Sequence, residues 1–380
     1  MRYFLSREAV LKSLEKPSVY HIKKDDLYEL DRNSFEFLNN CANETGCKNE
    51  DTEFTDYCLK EGILDRNKVL VKRPGIKKSP EPSLRYLELQ ITNKCNLKCK
   101  HCYIVNKGVS ELSINQIKSV LKEFEEMQGL RLLITGGEPL IHSRFKAINE
   151  ILPEFFVRKV LFTNGLLLGK KVLKKLNVDE IQISIDGLMK AHDSLRGKGT
   201  FGLAIKAVER AIDYGFEVSV STMIHAKNLE DFDEMDKLFK VIGIKDWTVD
   251  VPCIAGRLEK NIEFQIGPEQ CGEYLRYGYG NGLHTGASGF ACGLHLMSVM
   301  ADGRVSKCTF YSDDPFGRIE DGLEKCWLRI KHVRLDDLKC DCEYVELCRG
   351  GCRYRAQLLG DKYGKDLYRC KFYGIIKTSK

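Results

Sequence analysis

The sequence predicts an α/β protein flanked by two smaller units, and three observations predict it. Between residues 83 and 257, six strand-like runs alternate with five helical patterns at regular spacing. Ahead of them, residues 1–78 mix short strands and helices in an α+β pattern. Behind them, residues 285–380 are crowded with cysteines. With 380 residues the chain can hold two or three domains and a sizeable core. The expected domains are therefore 1–78, 83–257 and 285–380.

Net charge is +6, and the Lys and Arg are interspersed with Asp and Glu. This balance points neither to a nucleic acid nor to a membrane surface as partner. No apolar run approaches the ~20 residues needed to cross a bilayer. The first sixteen residues alternate apolar and charged positions and lack the apolar centre of a signal peptide. The expected location is the cytoplasm, where sixteen cysteines read as metal ligands or reduced thiols rather than a disulfide framework.

In the first unit, short strand-like runs at 19–21 and 27–30 surround a polar turn at 23–26. Helices are expected at 33–41 and 52–61, and another strand-like piece begins at Gly62. The phrase Leu27-Tyr-Glu-Leu-Asp-Arg-Asn-Ser-Phe-Glu-Phe-Leu38 resembles the small winged-helix-like domain that recognises leader peptides in peptide-modifying systems. The resemblance implies that an exposed strand edge docks an extended peptide. The alternative is an accessory domain that only packs on the rest of the chain. Cys41, Cys47 and Cys58 lack ligand spacing and read as partly buried apolar thiols. Residues 73–82, with three prolines and several lysines, read as a linker.

The strand-like runs of the central unit are 84–92, 130–135, 160–163, 180–185, 218–224 and 247–251. Helical patterns lie between them at 114–128, 144–155, 170–176, 201–214 and 229–241. This alternation implies parallel strands with right-handed crossovers. Directly after the first run comes Cys95-Asn-Leu-Lys-Cys99-Lys-His-Cys102-Tyr103, three thiols on a tight loop. Three thiolates can grip one iron–sulfur cube and leave its fourth iron open, as a catalytic zinc with three protein ligands keeps a vacant position. A zinc site asks for a fourth Cys or His, and His101 is awkwardly placed for the same metal. A disulfide leaves one thiol over.

Cys-x3-Cys-x2-Cys followed by an aromatic residue resembles the signature of the radical S-adenosylmethionine (radical SAM) enzymes. The resemblance implies a partial (β/α)6 barrel with chemistry at the C-terminal ends of its strands. It also implies a [4Fe-4S] cluster on Cys95, Cys99 and Cys102, beside Tyr103, with SAM chelated to the open iron. One electron from the cluster would cleave the sulfonium, and the 5′-deoxyadenosyl radical would abstract hydrogen from the substrate.

Further motifs follow in the family's order. After the second run comes Gly136-Gly137-Glu138-Pro139. Its glycines let backbone approach a ligand, and Glu138 offers a carboxylate to an ammonium. In the family this motif holds the amino group of the methionyl part of SAM. Thr163-Asn-Gly165 reads as a structural turn. After the fourth run, Ser184 and Asp186 are placed to hydrogen-bond a ribose, and Arg196 has the planar fork that suits a carboxylate. The resemblance assigns Ser184 to the ribose and Arg196 to the SAM carboxylate, while Asp186 alternatively caps a turn. Asn228 resembles a family asparagine near the cofactor, with a turn role as the alternative.

The last unit reads Cys292-x10-Gly303-x4-Cys308, then Cys340-x-Cys342-x5-Cys348-x3-Cys352, then Cys370. This resembles the SPASM extension of radical SAM enzymes, which carries auxiliary iron–sulfur clusters; the alternative is a structural zinc ribbon. Two departures stand out. The family usually has Cys-x2-Cys where this chain has Cys340-Asp-Cys342, and two-cluster members often carry an eighth cysteine shortly before the first. The resemblance implies one or two auxiliary [4Fe-4S] clusters. Cys292, Cys308 and Cys352 would hold the first, and Cys340, Cys342, Cys348 and Cys370 the second. The first then has an open iron, unless Cys271 or Cys253 completes it. An open iron would bind a substrate thiolate or act as an electron port. Cys326 fits no position and reads as packing.

The function implied is a maturase that installs a crosslink, thioether or oxidation in a ribosomally made peptide or protein, with a ferredoxin or flavodoxin as low-potential electron donor. Cys308-Thr-Phe-Tyr311 also resembles anaerobic sulfatase-maturing enzymes. Those carry an aspartate, thought to be the base, at the place of Thr309, which makes that activity less expected. Two alternatives stand beside the peptide reading. One is maturation of a small cofactor precursor, such as a haem, quinone or metal–pterin. The other is a non-enzymatic electron carrier, which would need no SAM site.

Overall fold

The computed structural model describes residues 2–48, 51–69, 71–104, 108–280, 282, 284 and 288–376. The expected domain bounds at 1, 285 and 380 lie outside the described residues.

The chain begins with β1 (Phe4–Leu5), β2 (Ala9–Ser13), β3 (Pro17–His21) and β4 (Asp26–Glu29). Then come α1 (Arg32–Cys41), α2 (Thr52–Lys60) and β5 (Leu64–Asp65). Strands β2, β3 and β4 form an antiparallel sheet in that order, and β1 pairs antiparallel with β5. Both helices start on an aspartate. Asp31 accepts from the Ser34 amide and Asp51 from the Phe54 amide, satisfying first-turn donors. Leu5, Leu11, Val19, Leu38, Cys41, Cys58 and Ile63 make a core of their own. Cys41 and Cys58 are thus packed apolar thiols.

Strand β2 was not expected from the sequence. Four of its five residues are buried, Lys12 among them, because its outer face lies against the central unit. The Lys12 ammonium donates to the Gly129 carbonyl at 2.7 Å. On that face Val10 and Leu14 join Leu130 in one buried cluster. Residues 73–82, expected as a linker, run along β2: the Ser79 amide donates to the Ser13 carbonyl and Arg73 Nε donates to the Ala9 carbonyl.

The central unit runs β6 (Tyr86–Thr92), α3 (Ile114–Glu126), β7 (Arg131–Gly136), α4 (Phe145–Ile151), β8 (Arg158–Thr163) and α5 (Lys170–Leu173). It continues β9 (Glu180–Ser184), α6 (Met189–Arg196), α7 (Thr200–Asp213), β10 (Glu217–Met223), α8 (Phe232–Ile242) and β11 (Asp246–Asp250). Each expected strand is present, with ends shifted by two residues or fewer. Strands β6 to β11 lie side by side in chain order, each pair parallel. Helix α3 shows the local logic. Ser113 and Gln116 form a reciprocal capping box, and Ile117, Val120, Leu121 and Phe124 bury one stripe. Helix α6 went unpredicted because its sequence, MKAHDSLR, buries only Ala191, His192 and Leu195.

The cysteine-rich segment is not detached from this sheet. It contributes β12 (Leu296–Val299), β13 (Arg304–Ser306) and β14 (Gly317–Arg318). Strand β12 pairs parallel with β6, Leu296 to Tyr86 through Val299 to Leu89, and β13 and β14 follow antiparallel. The result is one mixed sheet of nine strands. Met297, Val299, Val305 and Trp327 enter the same core as Leu87 and Ile134. Cys326 is buried there too, as expected of a packing thiol. No helix of the described residues is long and apolar enough to cross a membrane.

Candidate active site

A cavity of about 290 Å³ opens where the C-terminal ends of β6 to β11 converge. Each strand supplies a wall: Glu88 from β6, Gly136 at the end of β7 with Gly137 after it, Thr163 at the end of β8 with Asn164 after it, Ser184 from β9, Met223 from β10 and Cys253 after β11. Cys95, Cys99 and Cys102 line one side together with Tyr103.

The three-thiol loop is held by backbone. Glu138 N donates to the Lys94 carbonyl at 2.8 Å, Lys100 N to the Leu195 carbonyl at 2.9 Å, and Arg257 N to the Cys102 carbonyl at 2.9 Å. Gly137 is required there. A Cβ on it would lie 2.2 Å from the Lys94 carbonyl oxygen, so the two loops could not close together. Burial pushes the Cys95 thiol up to about 11 and raises Cys99 as well. Both are therefore neutral thiols until a metal displaces their protons. Among the described residues no three or more His, Cys, Asp or Glu are arranged to hold a single metal ion. An iron–sulfur cube is larger and asks for thiols spread around a cavity, which is the donor set present.

The remaining predicted residues fall as follows. Arg196 and Ser184 line the cavity. The Arg196 Nε donates to Asp186 Oδ2 at 2.5 Å. Burial raises the Asp186 carboxyl, but Arg196, His101, His192 and the Met223 amide together hold it below the usual range. Asp186 also accepts from the Met223 amide at 2.7 Å, so it fixes the arginine to β10. Tyr103 packs against Phe310 with ring centroids 5.1 Å apart, which joins the thiol loop to the cysteine-rich segment. Glu138 is fully buried and is not among the residues lining the cavity. Its carboxylate accepts from Thr163 Oγ1 at 2.9 Å and from the Asn164 and Leu140 amides. It ties the loop after β7 to the loop after β8. Asn228 is buried and closes a turn, donating to the Met223 carbonyl and accepting from the His225 amide. His101 lines the cavity as a neutral imidazole, pushed down to about 4 by burial.

Sequence reasoning missed two contributors, Asn164 and Glu88. Asn164, read as a turn residue, lines the cavity and donates to Asn96 Oδ1 at 2.8 Å. Its position at a strand end was the available signal. Glu88 accepts from the Thr309 amide at 3.2 Å and from the Ser298 hydroxyl. Burial raises its carboxyl. It is the one carboxylate among the described residues lining the cavity. Its only sequence signal was a charge inside an apolar strand. Cys253 also lines the cavity, and its thiol faces Cys352.

The cysteines of the last unit divide in two. Cys340, Cys342, Cys348 and Cys370 line a second cavity with Tyr344 and Tyr373. Cys292, Cys308 and Cys352 lie elsewhere, and Cys292 and Cys308 each interact electrostatically with Cys352.

Residues 89–239 match the family model of the Radical SAM superfamily. This chain carries a radical SAM domain. It is an enzyme of the radical SAM type, and that family uses a [4Fe-4S] cluster and SAM. The radical SAM chain is 26% identical over 302 residues to the mycofactocin maturase MftC of Mycolicibacterium smegmatis, covering 70% of this chain and 77% of that one. It is 23% identical over 340 residues to the AdoMet-dependent heme synthase of Nitratidesulfovibrio vulgaris, covering 75% of this chain and 92% of that one. The fold is similar to Streptococcus suis SuiB bound to its precursor peptide SuiA, with a TM-score of 0.68 and 16% identity over 97% of this chain and 100% of that one.

Proposed function

We propose that this radical SAM enzyme is a peptide maturase. The observation that carries the reading is the cavity at the ends of β6 to β11, where Cys95, Cys99 and Cys102 face Arg196, Ser184 and Glu88 across one space. The arrangement of the six parallel strands fits the partial barrel, and residues 1–78 fit the leader-binding unit. MftC is named a maturase and SuiB is bound to a precursor peptide, which favours a peptide substrate.

When bound, the cluster and SAM supply a carbon-centred radical for hydrogen abstraction. The chain's own residues do the rest. Cys95, Cys99 and Cys102 hold the cluster, and Gly136 and Gly137 leave room for the methionyl backbone. Asp186 keeps the Arg196 guanidinium aimed for the SAM carboxylate, and Ser184 takes the ribose. Glu138 acts through Thr163 and Asn164 as a positioning residue. Glu88, raised by burial, accepts a substrate proton. Cys340, Cys342, Cys348 and Cys370 hold an auxiliary cluster around the second cavity. A ferredoxin or flavodoxin in the cytoplasm supplies the electron.

The docking edge follows from the first sheet. Residues 78 and 79 occupy the outer side of β2, by the bridge of Lys78 to Ser13. The order β2-β3-β4 leaves β4 as the other edge. An extended leader would add there as one more strand.

The test uses the reduced, reconstituted full chain with SAM and the small-peptide fraction of the source cell, read by mass spectrometry. One peptide changing mass, with the change lost in Glu29→Pro, whose amide faces the open side of β4, supports the reading. Unchanged peptides beside consumption of a haem, quinone or metal–pterin precursor would replace it with the second reading, which the similarity to a heme synthase favours.

A further inference from the structure

Resting on the reading that Cys292, Cys308 and Cys352 hold an auxiliary cluster, one iron of that cluster lacks a ligand. Two other cysteines were available from the sequence, Cys253 and Cys271, and the structure separates them. Cys271 is fully buried within the main core, beneath Gly272, whose neighbours are Lys371 and Tyr368. Cys253 is placed otherwise. It follows β11 by three residues and lines the active-site cavity alongside Thr309 and Phe310, which adjoin Cys308.

The strand end is clamped to the helix that begins after Cys352. Arg355 donates to the Val251 carbonyl at 2.9 Å and to Asp250 Oδ1 at 2.9 Å, and its other nitrogens bind Asp366. Asp366 in turn accepts from the Cys352 amide at 2.7 Å. One buried guanidinium therefore fixes Cys253 and Cys352 relative to each other. The Cys292 amide donates to the Arg349 carbonyl at 3.1 Å, which draws Cys292 to the same turn. Tyr354 stacks on Phe310 at 5.5 Å and brings in the Cys308 loop. On the far side, the Arg257 amide binds the Cys102 carbonyl, so the Cys253 loop also touches the three-thiol loop.

We propose that Cys253 is the fourth thiolate of the auxiliary cluster held by Cys292, Cys308 and Cys352. A cluster closed by four thiolates has no iron left for a substrate thiolate. With Cys253 on the wall of the active-site cavity, the closed cluster is an electron port rather than a substrate anchor. Each thiol releases one proton on ligation, and no oxidant or reductant is consumed.

The test uses full-length protein with Cys95, Cys99 and Cys102 changed to Ala, reconstituted anaerobically, so that iron signals come from the C-terminal thiols alone. Mössbauer spectra and the EPR of the reduced protein are recorded with and without cyanide, a small ligand for an open iron. The expected parent spectra do not respond to cyanide. Adding Cys253→Ala makes one iron distinct and cyanide-responsive, or removes that cluster's iron while the iron of the second cavity stays. Cys253→Ser retains the iron with a shifted spectrum, which separates lost ligation from lost folding. Cys271→Ala matches the parent. A parent that already responds to cyanide, or Cys253 variants whose spectra superimpose on the parent's, overturns the proposal. Absence of any iron in the parent would overturn the auxiliary-cluster reading itself.

Discussion

The two cysteine-rich regions of this molecule are built on opposite principles. Cys95, Cys99 and Cys102 lie within eight positions on one loop, and the loop is pinned by the backbone of its neighbours. Cys253, Cys292, Cys308 and Cys352 come from separate segments, and a buried ion-pair network around Arg355 and Asp366 gathers two of them. A local loop can load metal once its own turn forms. An assembled site needs the whole sheet, with β12 docked on β6, before its thiols meet.

The largest effect that would break this comparison comes from the local loop. Changing Cys95, Cys99 and Cys102 to Ala should abolish release of 5′-deoxyadenosine from SAM, measured chromatographically, while iron on the C-terminal cysteines survives. Loss of all iron would show the two regions to be interdependent. Next in size is Arg196→Ala. It strands a fully buried Asp186, at a cost of about 3–5 kcal/mol in denaturant unfolding of the metal-free chain. The double change with Asp186→Asn should recover much of that loss.

Gly137→Ala should follow. Its added carbon meets backbone, not a movable side chain, so lower iron on the three-thiol loop and about 1–3 kcal/mol of lost stability are expected. Glu88→Gln tests the substrate side of the same cavity. SAM cleavage should persist while peptide modification slows by about 10²–10⁴, with the acid limb of its pH profile lost.

Acid stability gives a smaller and graded effect. Burial pushes His192 and His295 from 6.5 down to about 4 in the folded chain. Between those values the unfolded chain binds protons that the folded one does not, so stability falls as pH falls from about 6.5 to about 4. Unfolding midpoints across that window check this, and His192→Gln should flatten the slope. Asp186, held below its usual value by Arg196, adds a further loss below about pH 4.

Some of this was legible in the residues. The β/α alternation and the Cys-x3-Cys-x2-Cys loop are short-range patterns, set by strand and helix periodicity and by turn chemistry. Arg196 and Ser184 were named through the resemblance, and both line the cavity. Glu138 was harder. Its residue type was visible, but a carboxylate's direction depends on which amides surround it, and here Thr163 and Asn164 claim it.

By itself, then, the sequence determined the six strands in order, the loop that carries three thiols and the separate run of cysteines from 292 to 370. These follow from periodicity and spacing along the backbone. Only the tertiary structure decided that β2 is buried on both faces and that β12 extends the main sheet. It also decided that Cys253 rather than Cys271 stands beside Cys352. Those facts depend on contacts between residues far apart in the chain, such as Leu296 with Tyr86. No local propensity encodes such a contact; burial and hydrogen bonding select it when the sheet closes.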